Sequence, residues 1–446
     1  MIPRTILAVL ALVFATVPAH AQWDPANGSW LKSDAADLRV MTWNVQDGVC
    51  STAIKTNSQN SWNALVRVVA AIQPDVLILQ EAGDNSGNGT GSGVDSINAL
   101  KAVCNLFLHG GADPFLGGSV GSYVQAFIPA YDLPYIYVSR NTDGYNRNVV
   151  LSRYPAADLN GDGIAVHDDF NLSSDAYQSG GNGGIRGFAF IEIDLPDETY
   201  AGDAVVGNSH LKAGGNFSDY DDREAAAQNI AYLIHYNLNG NGTGSSDPNG
   251  RISTPSPTTI LDANTPMIWG GDWNQTPSST APDAWMTQAA TVGGTDGTDR
   301  DGTDASRDFA SHPITGDSST QSSSKLDYIA YQDSIATSRR EFIFRTTGTG
   351  LTSSNFPAVI TSSPRGWAAV SGNASDHRPV IVDLILPAPA APCPADITGD
   401  GVVDNGDIGA FVTLFLAGDS SADLTGDGVV DNGDIGAFVT AFLIGC

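Results

Sequence analysis

Leu38-Arg-Val-Met-Thr-Trp-Asn-Val45 decides the fold, because an apolar run breaks off at an amide and the same construction returns along the chain. A run this short and this rich in β-formers predicts a buried strand over 38–43. Val76-Leu-Ile-Leu-Gln-Glu81 repeats it, with a strand over 76–79 that ends in Gln80 and Glu81. Between them, residues 62–72 carry apolar side chains at helical spacing and stop at Gln73-Pro74, where proline blocks continuation. Further strands are predicted over 135–138, 148–151, 187–193, 204–209, 266–269, 326–330 and 378–386, and an amphipathic helix over 223–236. Segments 84–98, 238–258 and 293–323 are rich in Gly, Ser and Asp and read as loops. Many strands with helices among them predict an α/β fold, a four-layer sandwich of two packed β-sheets flanked by helices.

Polar groups stand directly after the apolar runs: Asn44, Glu81, Asn208 with His210, Asp272 with Asn274, Asp327, and Asp376-His377. Gathered at one edge of a sheet, such carboxylates and amides can hold Mg²⁺ or Mn²⁺ through oxygen while the histidines handle protons or phosphate oxygens. The absence of cysteine from the set argues against structural zinc.

Six segments in order resemble the endonuclease/exonuclease/phosphatase superfamily. They are Val40-Met-Thr-Trp-Asn-Val45, Leu79-Gln-Glu81, Asn208-Ser-His-Leu211, Trp269-Gly-Gly-Asp-Trp-Asn274, Leu326-Asp-Tyr-Ile329 and Ser375-Asp-His-Arg-Pro-Val380. The resemblance implies a divalent-metal phosphoesterase over residues 38–386. Under it Asn44, Glu81 and Asp376 are metal-site residues, with Glu81 the principal carboxylate. His377 activates water or stabilises the pentavalent phosphorus, oriented by Asp327. His210 contacts the scissile phosphate or the leaving group, and Asp272 and Asn274 position nucleophile and phosphate. Some members carry an acid two positions after the Asn; here Gln46 stands there with Asp47 next, which leaves metal stoichiometry open. Arg147 and Arg186 are candidate phosphate contacts, since guanidinium binds phosphate bidentately. Within this class a nuclease-like phosphodiesterase is favoured. A phosphomonoesterase or sphingomyelinase-like lipid phosphodiesterase comes second, and a non-catalytic calcium-dependent adhesion protein is the competitor from another class.

The C-terminus writes one unit twice, Asp396-Ile-Thr-Gly-Asp-Gly-Val-Val-Asp-Asn-Gly-Asp407 and the matching 423–434. Asp396, Thr398, Asp400, Val402 (through its carbonyl), Asp404 and Asp407 fall at loop positions 1, 3, 5, 7, 9 and 12, as do Asp423, Thr425, Asp427, Val429, Asp431 and Asp434. That is the ligand spacing for Ca²⁺, with Gly401 and Gly428 at the sharp turn. Apolar stretches 408–416 and 435–443 follow, suited to short helices. The pair resembles the duplicated repeat of dockerin modules, which implies a cohesin-like or cell-surface partner. A third loop, Asp158-Leu-Asn160-Gly-Asp162 through Asp169, matches part of the calcium pattern.

Residues 1–21 have a basic start, an apolar run over 6–17 and Ala19-His-Ala21, the pattern of a cleaved secretory signal peptide. No later segment is apolar for long enough to span a membrane. Residues 22–37 read as a polar leader, 38–386 as one large domain, 387–394 as a Pro/Ala linker and 395–446 as the repeat module. An exported protein, extracellular, periplasmic or at the cell surface, is expected to pair its four cysteines, here Cys50 with Cys104 and Cys393 with Cys446. The net charge of −28 opposes tight static binding of polyanions but permits turnover of a phosphate ester, extracellular nucleic acid included, at a cation-neutralised site. The other histidines, His109, His167, His235 and His312, read as non-catalytic.

Overall fold

Alternation along the first strand already assigns its two faces. In β1 (Leu38–Asn44), Met41 and Trp43 join a core with the helices, while Val40, Thr42 and Asn44 point the other way and are buried as well. A strand buried on both faces must sit between layers. The computed structural model describes residues 23–50, 54–58, 60–83, 94–142, 144–168, 185–238, 255–276, 306–389 and 393–445. It divides into two compact units, one ending at Pro387 and one beginning at Ala388 (with Asp197–Ala201). Residues 1–21, where a signal peptide is expected, Asp169 and Cys446 lie outside the described residues.

The first unit is an α/β sandwich of two six-stranded sheets. One runs β11 (Thr337–Ile343), β12 (Val380–Ile385), β1, β2 (Val76–Gly83), β4 (Arg147–Ser152), β3 (Tyr135–Val138). The other runs β9 (Ser306–Arg307), β10 (Asp327–Tyr331), β8 (Met267–Asp272), β7 (Ala204–Leu211), β6 (Ile185–Ile193), β5 (Val166–His167). Helices α1 (Ser61–Ile72) and α2 (Ile97–His109) pack on the outer face of the first sheet, and α3 (Phe217–Leu233) on that of the second.

A polar seam joins the sheets beneath the site. Gln80 Nε2 donates to Asn208 Oδ1 at 2.9 Å and to Thr42 Oγ1 at 3.1 Å, and Asn208 Nδ2 donates to the carbonyls of Leu79 and Val149. Gln80, Thr42 and Asn208 are fully buried, so these bonds are obligatory. Farther out, Arg39 and Asp383, both fully buried, form a bidentate pair at 2.6 and 2.8 Å.

Several expectations are corrected. Cys50 and Cys104 are free thiols. Each packs in the helix-side core as a small apolar group, Cys104 on the buried face of α2, where burial pushes its thiol up to about 12. Residues 23–37 are more than a leader, for Trp30 is buried, donates to the Asn355 carbonyl at 2.7 Å and stacks on Phe356. Part of 293–323 is built into the core, with Asp308, His312 and Thr320 fully buried. The helix expected over 223–236 begins earlier, at Phe217, and gives way to a π-helical turn over Ile234–Leu238.

In the second unit, α4 (Asn405–Ala417) and α5 (Asn432–Ile444) each start from a reciprocal capping box, Asp404 with Asp407 and Asp431 with Asp434. Phe411 and Phe438 stack at 4.2 Å, 3° apart, as the centre of its small core. In both loops the first Asp accepts from the backbone N–H groups at loop positions 4, 5 and 6, with Gly401 and Gly428 at φ +82 and +83. Cys393 is a disulfide cysteine.

Candidate active site where both sheets end

Each sheet has one parallel pair at its centre, β1 with β2 and β7 with β8. Parallel strands finish at the same edge, and their antiparallel neighbours β12 and β10 begin there. Register then sets His210 opposite Asp272, and Asp272 opposite Asp327, on three adjacent strands. Asn44 faces them from the other sheet and donates to Asp272 Oδ2 at 3.0 Å.

His377 lies just before β12, and a set of bonds docks its segment on the end of β1. Ser375 Oγ donates to the Asn44 carbonyl at 2.7 Å, Trp43 Nε1 donates to the His377 carbonyl at 3.1 Å, and the Asp376 N–H donates to Gln46 Oε1 at 3.3 Å. Its Nδ1 is 2.8 Å from Asp327 Oδ2, and its Nε2 is 3.7 Å from Asp272 Oδ2. Burial disfavours charge on His377, but Asp327 and then Asp272 outweigh it and push the ring up to about 10. Burial and the Asp327 charge push Asp272 up to about 7, against the pull of His377, Asn44 and the Asn274 N–H.

The second histidine has the opposite character. Burial first, then the positive charges of Arg186 and His377, hold His210 well below the ordinary histidine range. Arg186 Nη1 lies 3.1 Å from His210 Nε2, and since guanidinium only donates, Nε2 is the acceptor. The proton therefore sits on Nδ1, which is buried with no partner among the described residues. Asp272 Oδ2 at 3.5 Å and Glu81 Oε1 at 3.8 Å face the same nitrogen.

Glu81 and Arg186 reach this point only because alternation breaks. Leu79 faces the helices, so Glu81 should follow it there, but it adopts φ +50 where the β2–β4 register slips. Phe188 faces α3, so Arg186 should too, but the β6–β7 register shifts between Ile185 and Phe188, across Gly187 at φ +123. Asn274 also sits at φ +52, its N–H donating to Asp272 Oδ1 at 3.0 Å and its amide to the Leu211 carbonyl. Left-handed backbone at two site residues is strain that local function can explain.

Two further candidates differ, for Arg147 is taken up by backbone carbonyls while Asp376 lies next to His377, whose raised ring its charge supports. The Arg147 guanidinium is buried and donates to the carbonyls of Asp95, Ser139 and Arg140, so it locks loops. Asp376 is exposed, and Gln321 Nε2 donates to its Oδ2 at 2.8 Å. Gln321, which holds Asp376, carries no motif that would single it out in the sequence, whereas Gln46, two positions after Asn44, holds the segment through the Asp376 N–H.

The profile of the endonuclease/exonuclease/phosphatase family matches residues 41–377. The chain belongs to that family. Family members are hydrolases of phosphate esters. Among solved structures, an endonuclease/exonuclease/phosphatase from Beutenbergia cavernae DSM 12333 is 18% identical over 79% of this chain and 72% of that one, TM-score 0.41. Sphingomyelinase C from Streptomyces griseocarneus is 17% identical over 78% and 99%, TM-score 0.41. The human Nocturnin catalytic domain is 14% identical over 79% and 95%, TM-score 0.40. No curated protein sequence matches significantly.

The site fits the divalent metal this family implies. Ligand atoms of Asp272, Asp327 and His377 lie within 4.8 Å of one another, and Asp327 Oδ1 is buried without a partner among the described residues. Around His210 Nε2, two carboxylate oxygens and a lone pair converge, an arrangement that calls for positive charge. Oxygen-dominated donors suit Mg²⁺ or Mn²⁺. Among the described residues, no helix is long and apolar enough to cross a membrane.

Proposed function

We propose that this chain is a divalent-metal-dependent phosphodiesterase of nuclease type. The observation that carries the reading is the buried Asp327–His377–Asp272 cluster facing a neutral His210, with Arg186 on its rim. Glu81, which faces His210, is the carboxylate that would hold the metal, with Asn44 close by and hydrogen-bonded to Asp272, whose Oδ2 is left for the water. A bound Mg²⁺ or Mn²⁺ supplies Lewis-acid neutralisation of the phosphoryl and leaving oxygens. Asp272, held by Asn44 and the Asn274 N–H, orients the attacking water and takes its proton at Oδ2. His377, kept protonated by Asp327, donates from Nε2 to the oxygens that gain charge at phosphorus. Arg186 adds a second cation to the phosphate, its side chain 22% exposed toward solvent.

The pattern of residues 1–21 supports export. The twofold recurrence of one capped Asp loop supports Ca²⁺ binding by the C-terminal unit, and the partial pattern Asp158, Asn160, Asp162 supports a third such site. A cohesin-like or surface partner for that unit is carried by the repeat pattern alone.

The test is hydrolysis of DNA, RNA, sphingomyelin, bis-p-nitrophenyl phosphate and p-nitrophenyl phosphate with Mg²⁺ or Mn²⁺ against EDTA, repeated with His377→Ala. Metal-dependent diester cleavage lost in the variant is the expected result. Turnover of the monoester alone makes the chain a phosphatase, and turnover of sphingomyelin alone a lipid phosphodiesterase. Folded, metal-loaded protein that turns over nothing moves the family fold to a binding role.

A further inference from the structure

Phe217 is 89% exposed, the largest exposure of any big apolar side chain among the described residues of the first unit. It opens α3, seven residues after His210, on the loop that leaves the end of β7. A free aromatic ring on a mobile loop would collapse onto nearby apolar surface, but this loop is held. Arg223, 1% exposed, donates to the carbonyls of Lys212 at 2.7 Å and Gly214 at 3.0 Å. Asp219 Oδ2 accepts from the Asn216 N–H at 2.9 Å. Gly214, at φ +123, lies so close to Asp219 that a Cβ there would meet Oδ2 at 2.2 Å.

The same bonds tie the ring to the site. Arg223 Nε donates to Gln275 Oε1 at 3.1 Å, and Asn274 Nδ2 donates to the Leu211 carbonyl at 3.1 Å. Phe217 stands six residues before Arg223, about 9 Å along the helix at the usual rise. The start of α3, which carries the ring, is thus tied to the segments that follow the strand ends of His210 and Asp272. The other strongly exposed Phe in the unit, Phe309, has Arg307 over its face at 5.1 Å, whereas among the described residues no ring or cation packs on Phe217.

We infer that Phe217 is a stacking platform for a base of a nucleic-acid strand whose phosphodiester lies in the site. This rests on the phosphodiesterase reading above and narrows its substrate to nucleic acid. Every base has a π-face, so one fixed ring binds strands without choosing a sequence. A lipid surface is the poorer occupant. Membrane insertion needs a contiguous apolar patch, and the ring's neighbours Gly215, Asn216 and Ser218 supply none.

The experiment uses the full chain with Mg²⁺ or Mn²⁺ and two single strands of equal length, an oligothymidylate and a tetrahydrofuran oligomer without bases. Phe217→Ala lowers kcat/KM on the oligothymidylate about tenfold, within the range for losing one base stack, and leaves the baseless strand unchanged. Phe217→Trp keeps the wild-type preference, and an unchanged melting curve shows that the alanine variant folds. Equal loss on both strands, or loss on neither, overturns the platform while the phosphodiesterase reading stands. If the wild type cleaves neither strand, that reading falls and the platform with it. If Phe217→Ala instead abolishes turnover of sphingomyelin in vesicles, the ring is a membrane anchor and the stacking inference is overturned.

Discussion

The two units both gather carboxylates, and they hold them by different means. In the first, Asp327, Asp383 and Asp308 are fully buried and each has a cationic neighbour: His377 at 2.8 Å, Arg39 at 2.6 Å and Lys325 at 2.6 Å. In the second there are nine Asp beyond residue 387 and not one Lys, Arg or His. There Asp407 and Asp434 accept from backbone N–H groups, which hold both carboxyls below their usual range. These buried carboxylates of the first unit are answered by cations of the chain; in the second, backbone N–H groups and the hydroxyls of Thr398 and Thr425 answer the buried pair. A fold that neutralises its own carboxylates depends on its arginines and histidines, and one that does not depends on what it binds.

The strongest way to break the first arrangement is at Asp327. Asp327→Ala removes the acceptor that keeps His377 protonated and its ring fixed. Turnover of bis-p-nitrophenyl phosphate falls by about 10²–10⁴-fold, the usual worth of an acid–base group. NMR titration reads the cause directly, because the His377 pKa drops from about 10 toward the ordinary histidine value. A variant that keeps both its turnover and the high pKa would remove Asp327 from the mechanism.

Arg39→Leu comes next, acting on stability with the chemistry left in place. It leaves Asp383 in the core with only Arg340, at 3.5 Å, and deprives the Trp30 and Ile72 carbonyls of their donor. Unpairing a buried ion pair costs about 3–5 kcal/mol, so the urea midpoint of the first unit falls sharply. No single Asp in the second unit carries a penalty of this kind, since none has a cation to lose.

Calcium sharpens the contrast from the other side. With Ca²⁺ at a hundredfold excess over its dissociation constant, a site adds about 2.7 kcal/mol to the folded state. Adding EGTA to the full chain therefore lowers the melting of the second unit, and Asp396→Ala removes the first loop's share of that shift. Melting that ignores EGTA in both proteins would leave the loops as self-capped turns.

The same contrast explains what could be read from sequence. The strands that build the site were legible because each is a short apolar run with a polar end, as in 38–44 and 204–210. Strand β11 was not, because Thr337-Ser-Arg-Arg-Glu341 is polar and its place is set by pairing with β12. Helix α2 went unread beside a Gly/Ser-rich stretch. Site residues on regular strands followed from alternation, but Glu81 and Arg186 reach the cluster through register slips that no local pattern announces. The buried part of 293–323 hid for a related reason. Asp308 is polar in composition, and only long-range partners, Lys325 and the Ile329 N–H, make it a core residue.

His312, in that hidden segment, gives the cleanest sign. Its Nδ1 accepts from the N–H groups of Ile314 and Thr315, and Nε2 donates to the Arg345 carbonyl at 3.2 Å, a pattern that only the neutral ring can make. Burial, aided by the Arg345 charge and opposed by its carbonyl, pushes the ring down to about 4. In the unfolded chain it titrates near the ordinary value of about 6.5. Between those values the unfolded state binds the extra proton, so stability rises with pH. The contribution is complete above about pH 6.5 and is lost as pH falls through about 4. Asp272 and His377 are raised and have other slopes, so the difference between wild type and His312→Asn isolates the ring. Asn keeps an acceptor for the two N–H groups and does not titrate. The stability difference should shrink as pH drops from 7 to 4, approaching about 1.4 kcal/mol per pH unit. A flat difference would mean that the ring is protonated in the fold. Over the same window the second unit should hold, because its depressed carboxyls lose their contribution only below the usual carboxylate value of about 3.9. Acid thus loosens the unit that matches its own charges before the one that leaves them to the backbone.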